Sequence, residues 1–197
     1  MTSPIEIIRE NWKQAKSLGD ANADFCTFAT ASENGQACLR TLVLRDITGE
    51  SLVVFVNNTS PKWEQLEYSD KMEVLLFWPS LMQQYRIRGD LEVMPKEIIR
   101  QHWCKKPYES KIIDNFYSAY QPQSSTVESR ESLLEDINKL KNDYPEPDDV
   151  PFPENAEGVI VRANYIETWH GSATDRIHDR CLYTLEDGQW EKATLVP

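Results

Sequence analysis

Hydrophobic residues recur along this chain with two different spacings, that of a helix in some segments and that of a β-strand in others. The two spacings divide the chain into helical and strand segments. Near the start, apolar residues follow helical spacing until Gly19, at Ile5, Ile8, Trp12 and Ala15. Ser3-Pro4 followed by Glu6 is typical of a helix N-terminus, with an N-cap, a proline at the first helical position and a capping-box glutamate. The sequence therefore predicts a helix within residues 1–20.

From residue 25 the pattern becomes that of β-strands. Five segments rich in β-branched and aromatic residues are predicted to be strands: FCTFATAS, QACLRTLVLRD, SLVVFVNN, MEVLLFW and QQYRIRGDLEVM. Turns at Asn34-Gly35 and Thr48-Gly49 separate the first three, and the Asn-Gly pair is a strong hairpin signal. Two more strands are predicted near the C-terminus, in VIVRANYIETWHG and in ATDRIHDRCLY.

Further segments have helical character. SPKWEQLEYS predicts a short helix capped by Ser60, and helices are predicted over 95–118 and 126–142, before a loop rich in proline and acidic residues. Strands at regular intervals, with helices mostly outside the run, predict a mainly β (α+β) fold, a closed antiparallel barrel with peripheral helices. One domain is expected over 1–197, with the N-terminal helix in 1–20, a helical insertion at 95–142 and C-terminal strands at 158–197.

The net charge of −11 narrows the choice of partners. A general nucleic-acid binder needs a basic surface for phosphate contacts, and an anionic membrane repels an acidic protein. No apolar run approaches the roughly 20 residues of a membrane span, and the charged N-terminus lacks the apolar stretch of a signal peptide. The four cysteines are scattered without a C-x-x-C pair, which favours reduced thiols. The sequence predicts a cytoplasmic protein with no nucleic-acid or membrane partner.

Common cofactor and metal motifs do not occur in the sequence. There is no G-x-G-x-x-G or G-x-x-x-x-G-K-[ST] for a Rossmann or P-loop nucleotide site, and neither H-E-x-x-H nor G-x-S-x-G. The spacing of His102, Cys104, His170 and His178 fits no closed metal site, so no metal is predicted.

Arginine placement indicates anion binding. A regular strand through RIHDR would put Arg176, His178 and Arg180 on one face, which is tolerable in solvent or against an anionic, aromatic ligand. Arg40 and Arg45 flank the apolar run TLVL. Their odd separation requires a bend or bulge before both side chains can line one cavity.

Other residues complete this pattern. NNTSPK places Lys62 at a predicted helix N-terminus, where free N–H groups favour a phosphate, although a plain capped helix explains these residues about as well. Gln84, Arg86 and Arg88 share a strand face that is more often solvated, and Trp169 alone would usually be core. In combination, guanidiniums, an amide and an indole suit a ligand that is both phosphorylated and aromatic, and FMN meets that description.

Several segments, in order from about residue 24 to the C-terminus, resemble the pyridoxine (pyridoxamine) 5′-phosphate oxidases of the FMN-binding split barrel. The segments are LRTLVLRD, VVFVNNTSPK, LLFWPSLMQQYRIRGDLE, QPQSSTVESR, IETWHG, RIHDRCLY and a terminal LVP. The closing R-x-H-D-R-x-x-Y is the most specific of them. The resemblance implies a split antiparallel barrel that forms a homodimer, with two FMN sites at the subunit interface.

The resemblance also implies which residues bind the flavin. Arg40 and Lys62 would hold its phosphate and ribityl end with Ser60 nearby, and Trp169 and Arg180 would come from the partner subunit. Gln84 would lie at the flavin ring. The other implied FMN residues are Thr41, Leu42, Val43, Leu44, Arg45, Phe55, Val56, Gln123 and Ser124.

For the substrate, the resemblance implies two groups. The 5′-phosphate of the vitamin would be held by Arg45, His102, Lys106 and Ser110, and the pyridine ring by the catalytic residues Arg176 and His178. The implied reaction oxidises the 4′ carbon of pyridoxamine or pyridoxine 5′-phosphate to give pyridoxal 5′-phosphate, with O2 as acceptor and H2O2 as product.

The chain departs from the usual family pattern at several of these positions. Arg45 stands where the family has lysine, His102 replaces a tyrosine and Lys106 an arginine. Val56 and Pro61 replace a threonine and an arginine beside the flavin phosphate, and NAEGVIV stands where Trp-Gly-Gly is usual. Two alternatives therefore stay open: an FMN split-barrel oxidoreductase for another small molecule, and a non-catalytic flavin-binding protein.

Overall fold

The strands and helices follow one another along residues 3–197, which are the residues that the computed structural model describes. Within that range the helices are α1 (Pro4–Ser17), α2 (Pro61–Tyr68), α3 (Lys96–Trp103), α4 (Tyr108–Ala119) and α5 (Arg130–Asp143). The strands are β1 (Phe25–Ala31), β2 (Ala37–Thr48), β3 (Ser51–Asn57), β4 (Met72–Trp78), β5 (Gln83–Val93), β6 (Ala156–His170), β7 (Asp179–Glu186) and β8 (Gln189–Thr194). None of the helices within 3–197 has the length and apolar character to cross a membrane.

The strands form one antiparallel sheet that closes on itself. Its order is β3-β2-β1-β4-β5-β6-β7-β8, and β3 also pairs with β6, so the first six strands make a closed barrel. The 15-residue β6 makes this possible, because residues 156–162 pair with β3 while residues 165–170 pair with β7. Strands β7 and β8 extend beyond the barrel wall. The predicted split antiparallel barrel with peripheral helices is confirmed.

Side chains at alternate positions of the strands point inward and fill the barrel. Buried side chains at every second position of β4, β5 and their neighbours form the interior, including Phe28, Val74, Leu76 and Ile87. The apolar face of helix α1 packs into the same core, and its Trp12 indole donates a 2.7 Å hydrogen bond to the carbonyl of Ala23. The predicted N-terminal helix is therefore confirmed and belongs to the main core.

The helical segment after β5 has a core of its own. Trp103, Ile112, Phe116, Leu140 and Val150 form a cluster separate from the barrel interior. The single helix predicted over 95–118 is wrong. It is two helices, α3 and α4, because the proline at position 107 cannot donate a backbone hydrogen bond and begins a new helix as its N-cap.

The C-terminal strands differ most from expectation. Strand β7 begins at Asp179, and residues 171–178 form a loop in which Arg176 has a left-handed φ of +60°. The predicted strand through Arg176 and His178 is therefore wrong, since local hydrogen bonds and this backbone conformation replace sheet pairing. Strand β8 was missed, although Asp187-Gly188 between β7 and β8 is a hairpin signal.

Candidate functional site

A β-bulge on β2 directs the Arg45 side chain into a cavity. The register between β2 and β3 shifts between Leu44 and Asp46, so Arg45 is the additional residue on β2. As a result Leu42 and Arg45 line the same cavity despite their odd separation. The bulge that would be needed for Arg40 and Arg45 to line one cavity is present, although Arg40 itself does not line this cavity.

The cavity lies between the barrel, the start of α2 and the helices α3 and α4. It has a volume of about 250 Å³. Six residues that the resemblance implied for flavin or substrate are brought together in its wall: Leu42, Phe55, Val56, Lys62, Gln123 and Arg45. Two implied for the substrate phosphate also line it, His102 and Lys106, together with Lys105, Asp114 and Glu157.

Lys62 lies at the second position of α2, with its side chain in the cavity. Its ammonium donates a 2.7 Å hydrogen bond to the Gln123 side chain. Burial, and to a lesser extent the positive charge of Arg40, lowers the pKa of Lys62 to about 8. The structure thus holds a partly buried cation with only a neutral hydrogen-bond partner, a group that an anionic ligand would stabilise.

The N-terminus of α2 has no side-chain cap. The Ser60 hydroxyl donates 2.6 Å to the carbonyl of Asn57 instead of accepting from the helix, and Pro61 has no N–H. Positive partial charge at this helix end is therefore not offset by a capping oxygen. A plain capped helix, the other explanation of NNTSPK, does not describe this geometry.

Arg40 is near this helix end but outside the cavity wall. Its guanidinium donates to Thr30 Oγ1 at 2.6 Å, and to the Gln65 side chain on α2 at 2.9 Å. It also donates to the carbonyls of Phe28 and Cys38. Arg40 therefore connects α2 to β1 and β2, and supports the helix that carries Lys62.

The residues implied for the substrate phosphate are only partly assembled. The His102 ring lies 5.1 Å from the Phe55 ring, centroid to centroid. The Cζ atom of Arg45 lies 5.2 Å from the Phe55 ring centroid. Lys106 forms an ion pair with Asp114. Ser110 does not line the cavity.

A second cluster lies where β5, β6 and β7 run side by side. Gln84 pairs with Trp169 across β5–β6, and Trp169 pairs with Arg180 across β6–β7, so these three share one row of the sheet. The His178 ring lies 4.7 Å from the Trp169 ring, centroid to centroid. Arg176 is exposed in the preceding loop.

Glu167 organises this cluster, and sequence reasoning missed it. Its buried carboxylate accepts from Arg180 at 2.6 Å and from Arg86 at 3.0 Å. Arg86 and Arg88 also donate to Glu73, so their face is an ion-pair face rather than a solvated one. The sequence did contain a signal for Glu167. It is two residues from Trp169, so both lie on the same face of a strand, and the strands on either side carry arginines.

The remaining implied residues do not join either group. Thr41 and Val43 face outward on β2, while Leu44 is buried in the barrel. Ser60 is fully buried, and Ser124 is exposed with a left-handed φ of +72°. Within residues 3–197, no hydrogen bond connects the cavity around Lys62 with the cluster around Trp169.

Comparison with known proteins matches both parts of this arrangement. A family model described as pyridoxamine 5′-phosphate oxidase matches residues 14–141, and one described as the pyridoxine 5′-phosphate oxidase C-terminal dimerisation region matches residues 157–197. A pyridoxine/pyridoxamine 5′-phosphate oxidase from Psychrobacter sp. is 34% identical over 175 residues, covering 87% of this chain and 79% of that protein. One from Cytophaga hutchinsonii is 32% identical, covering 100% and 90%.

Solved structures share the fold. PhzG from Burkholderia lata, in complex with tetrahydrophenazine-1-carboxylic acid, superposes with a TM-score of 0.88 at 20% identity, covering 100% of this chain and 94% of that one. An FMN-binding protein from Nostoc punctiforme superposes with a TM-score of 0.76 at 17% identity, and both chains are covered completely. On the family matches and the sequence relatives, with a barrel of the same fold, this chain belongs to the pyridoxamine 5′-phosphate oxidase family of oxidoreductases.

Proposed function

We propose that this protein is an FMN-dependent oxidase that converts pyridoxamine or pyridoxine 5′-phosphate to pyridoxal 5′-phosphate, with O2 as acceptor and H2O2 as product. The observation that carries the proposal is Lys62, a partly buried cation at an uncapped helix N-terminus in the wall of a cavity. Such a helix end is a ready site for a phosphate group.

The charges of the cavity suit a phosphorylated flavin. Its two carboxylates are engaged, Glu157 by Lys96 at 2.6 Å and Asp114 by Lys106. Lys62, Arg45 and Lys105 have no carboxylate partner within residues 3–197, so the wall carries excess positive charge. FMN bound there would supply a two-electron acceptor for the substrate and a donor to O2.

Each protein group has a part in this proposal. Lys62 and the start of α2 bind the FMN phosphate, and Gln123 orients the Lys62 ammonium. Arg45 and His102, which both lie near the Phe55 ring, bind the 5′-phosphate of the substrate. Arg176 and His178 orient the pyridine ring, with His178 supported by Trp169. Their task is to place the 4′ carbon correctly, because orientation contributes much of the rate in such reactions.

The proposed active site needs two copies of the chain. Within residues 3–197 no hydrogen bond joins the cavity around Lys62 to the cluster of Trp169, His178 and Arg180, although both are implied for one flavin site. The cluster lies in the segment that matches the C-terminal dimerisation region. We infer a homodimer in which the partner subunit supplies this cluster.

We also assign the protein to the cytoplasm. All four cysteines are free in the described structure. Free thiols fit a reducing compartment.

One observation favours a second candidate, an FMN oxidoreductase for a different small molecule. Lys106, implied for the substrate phosphate, is already paired with Asp114. A site with fewer free cations binds a doubly charged phosphate less strongly. A substrate with a single negative charge, such as a carboxylate, is then the alternative.

The test is anaerobic reduction of protein-bound FMN. Purified protein, saturated with FMN, is mixed without oxygen with pyridoxamine 5′-phosphate, with pyridoxine 5′-phosphate and with their unphosphorylated forms. Bleaching of the flavin by a phosphorylated vitamer, followed by pyridoxal 5′-phosphate and H2O2 on adding air, supports the proposal. Flavin that binds but is reduced by neither phosphorylated vitamer overturns it, and leaves the second candidate or a flavin-binding protein.

A further inference from the structure

The loop between β6 and β7 holds the His178 ring in a defined way. The backbone N–H of Ser172 donates a 3.1 Å hydrogen bond to Nδ1 of His178. The ring also packs against Trp169, at 4.7 Å between centroids. A ring nitrogen that accepts a hydrogen bond carries no proton of its own. In the neutral ring the proton is therefore on Nε2.

Asp175 holds the loop in the shape that this contact needs. Its Oδ1 accepts from the Ser172 hydroxyl at 2.5 Å and from the backbone N–H of Ile177 at 3.0 Å. These two bonds keep the pKa of Asp175 below its usual value, so it is ionised at neutral pH. Between them lies Arg176, in the left-handed conformation with φ of +60°. The carboxylate thus ties both ends of the six-residue turn 172–177, with Ser172 beside Nδ1 and Ile177 just before His178.

We propose that Ser172 and Asp175 are positioning residues that fix His178 as the Nε2–H tautomer, so that the ring meets the substrate as a hydrogen-bond donor. For its substrate this rests on the proposed function, whereas the tautomer itself does not. A neutral ring with Nδ1 engaged and Nε2 protonated has no free lone pair with which to act as a base. His178 therefore donates to a lone pair on an oxygen or nitrogen of the substrate.

The tautomer can be measured directly. The chain has three histidines, His102, His170 and His178, so ring signals of ¹⁵N-labelled protein can be assigned by comparison with His178→Gln. In a long-range ¹⁵N–¹H correlation spectrum above neutral pH, we expect His178 Nδ1 to appear as an unprotonated nitrogen and Nε2 as a protonated one. The reverse pattern, or an average of the two tautomers in the wild-type protein, would overturn the proposal.

Substitutions at position 175 separate positioning from bulk stability. In Asp175→Ala both accepted bonds are lost, and we expect the His178 signals to move towards a mixture of tautomers. Asp175→Asn keeps an acceptor oxygen and should retain the wild-type pattern. Asp187→Asn, in the exposed β7–β8 turn, is the matched control and should change nothing. If Asp175→Ala leaves the ring signals as in wild type, Asp175 does not position His178.

A kinetic test addresses the donor role. Gln can place an amide N–H near the position of Nε2, whereas the shorter Asn places it nearer to Nδ1. We expect flavin reduction in His178→Gln to be about tenfold slower than wild type, the effect of one weakened hydrogen bond, and slower still in His178→Asn. Equal losses in both would contradict a donor at Nε2. If no substrate reduces the wild-type flavin, the proposed function fails, and the spectrum still decides the tautomer.

Discussion

Lys62 combines two features that a bound anion would stabilise. Its ammonium is partly buried, and its one hydrogen bond is to a neutral amide. Burying a cation without a carboxylate costs free energy, which a bound anion would offset. The same residue stands at a helix N-terminus with no side-chain cap. Both features predict that this position matters more for ligand binding than for folding.

Replacing Lys62 by alanine is therefore expected to weaken FMN binding and leave the fold intact. Loss of a charge-assisted hydrogen bond to a phosphate costs about 1.5–3 kcal/mol, or roughly ten- to hundredfold in the dissociation constant. Flavin fluorescence titration of the apoprotein measures it. The control is Lys71→Ala, whose side chain is 83% exposed, and it should bind as wild type. Unchanged affinity in Lys62→Ala would show that the phosphate binds elsewhere.

The pKa of Lys62 makes a further prediction about pH. Because burial lowers it from 10.5 to about 8, the ammonium is charged below about pH 8 and neutral above. FMN affinity should therefore fall as pH rises through this range, since the phosphate is fully ionised already. In Lys62→Arg the guanidinium stays charged, so the affinity should be nearly independent of pH there. An equal fall in both proteins would assign the effect to another group.

At the scale of elements, Glu167 connects three adjacent strands. Its side chain is only 8% exposed, and it accepts hydrogen bonds from Arg86 on β5 and Arg180 on β7. Arg180 in turn donates to the carbonyl of Val196, so the C-terminal tail is tied to the same point. Removing one partner from such a network leaves the others charged and partly buried.

We expect Glu167→Ala to lower the free energy of unfolding by about 3–5 kcal/mol, the range for breaking a buried ion pair. Glu92→Ala is the matched control. Glu92 is on β5 and pairs with Arg162 of β6, but its side chain is 45% exposed, so the loss should be about 0–1 kcal/mol. Urea denaturation of both variants makes the comparison. If both variants lose the same free energy of unfolding, the burial of Glu167 does not make its ion pairs more stabilising than the exposed pair of Glu92.

At the scale of the whole molecule, the outer face of the sheet carries apolar residues that a single chain leaves exposed. Phe25 and Val43 face each other across β1–β2, and Phe77 pairs with Gln84 across β4–β5, beside Trp169. Phe25 is 45% exposed. Exposed apolar area next to a candidate site is typical of a surface that another molecule covers.

The protein is therefore expected to have twice its chain mass of 22.8 kDa in solution. Phe25→Glu should shift it to monomer and release FMN, because a charge in the interface is costly and the partner's cluster is lost with it. Val93→Glu, an exposed residue at the far end of β5, should remain dimeric. Light scattering and flavin content measure both. A wild-type monomer with one bound FMN per chain would refute the shared site.

Local pattern determined most of the strands and helices. Alternation and turn pairs such as Asn34-Gly35 act within a few residues, so strands β1 to β5 and helices α1 and α2 follow from sequence alone. The sequence also showed that Arg40 and Arg45 could line one cavity only with a bulge between them, because side-chain direction on a strand depends on residue spacing. The family motifs likewise identified the fold before any coordinates.

Only the tertiary structure decided which distant residues meet. Barrel closure pairs Ser51 with Arg162, and the ion pairs of Lys106 with Asp114 and of Glu167 with Arg180 join separate elements. The path of residues 171–178 depends on hydrogen bonds from Ser172 that a strand pattern does not reveal. The physical reason is the distance along the chain over which each effect acts. Propensity and periodicity depend on residues that are neighbours in sequence, whereas the packing of the whole chain decides which residues pair with a buried charge and which path a loop takes.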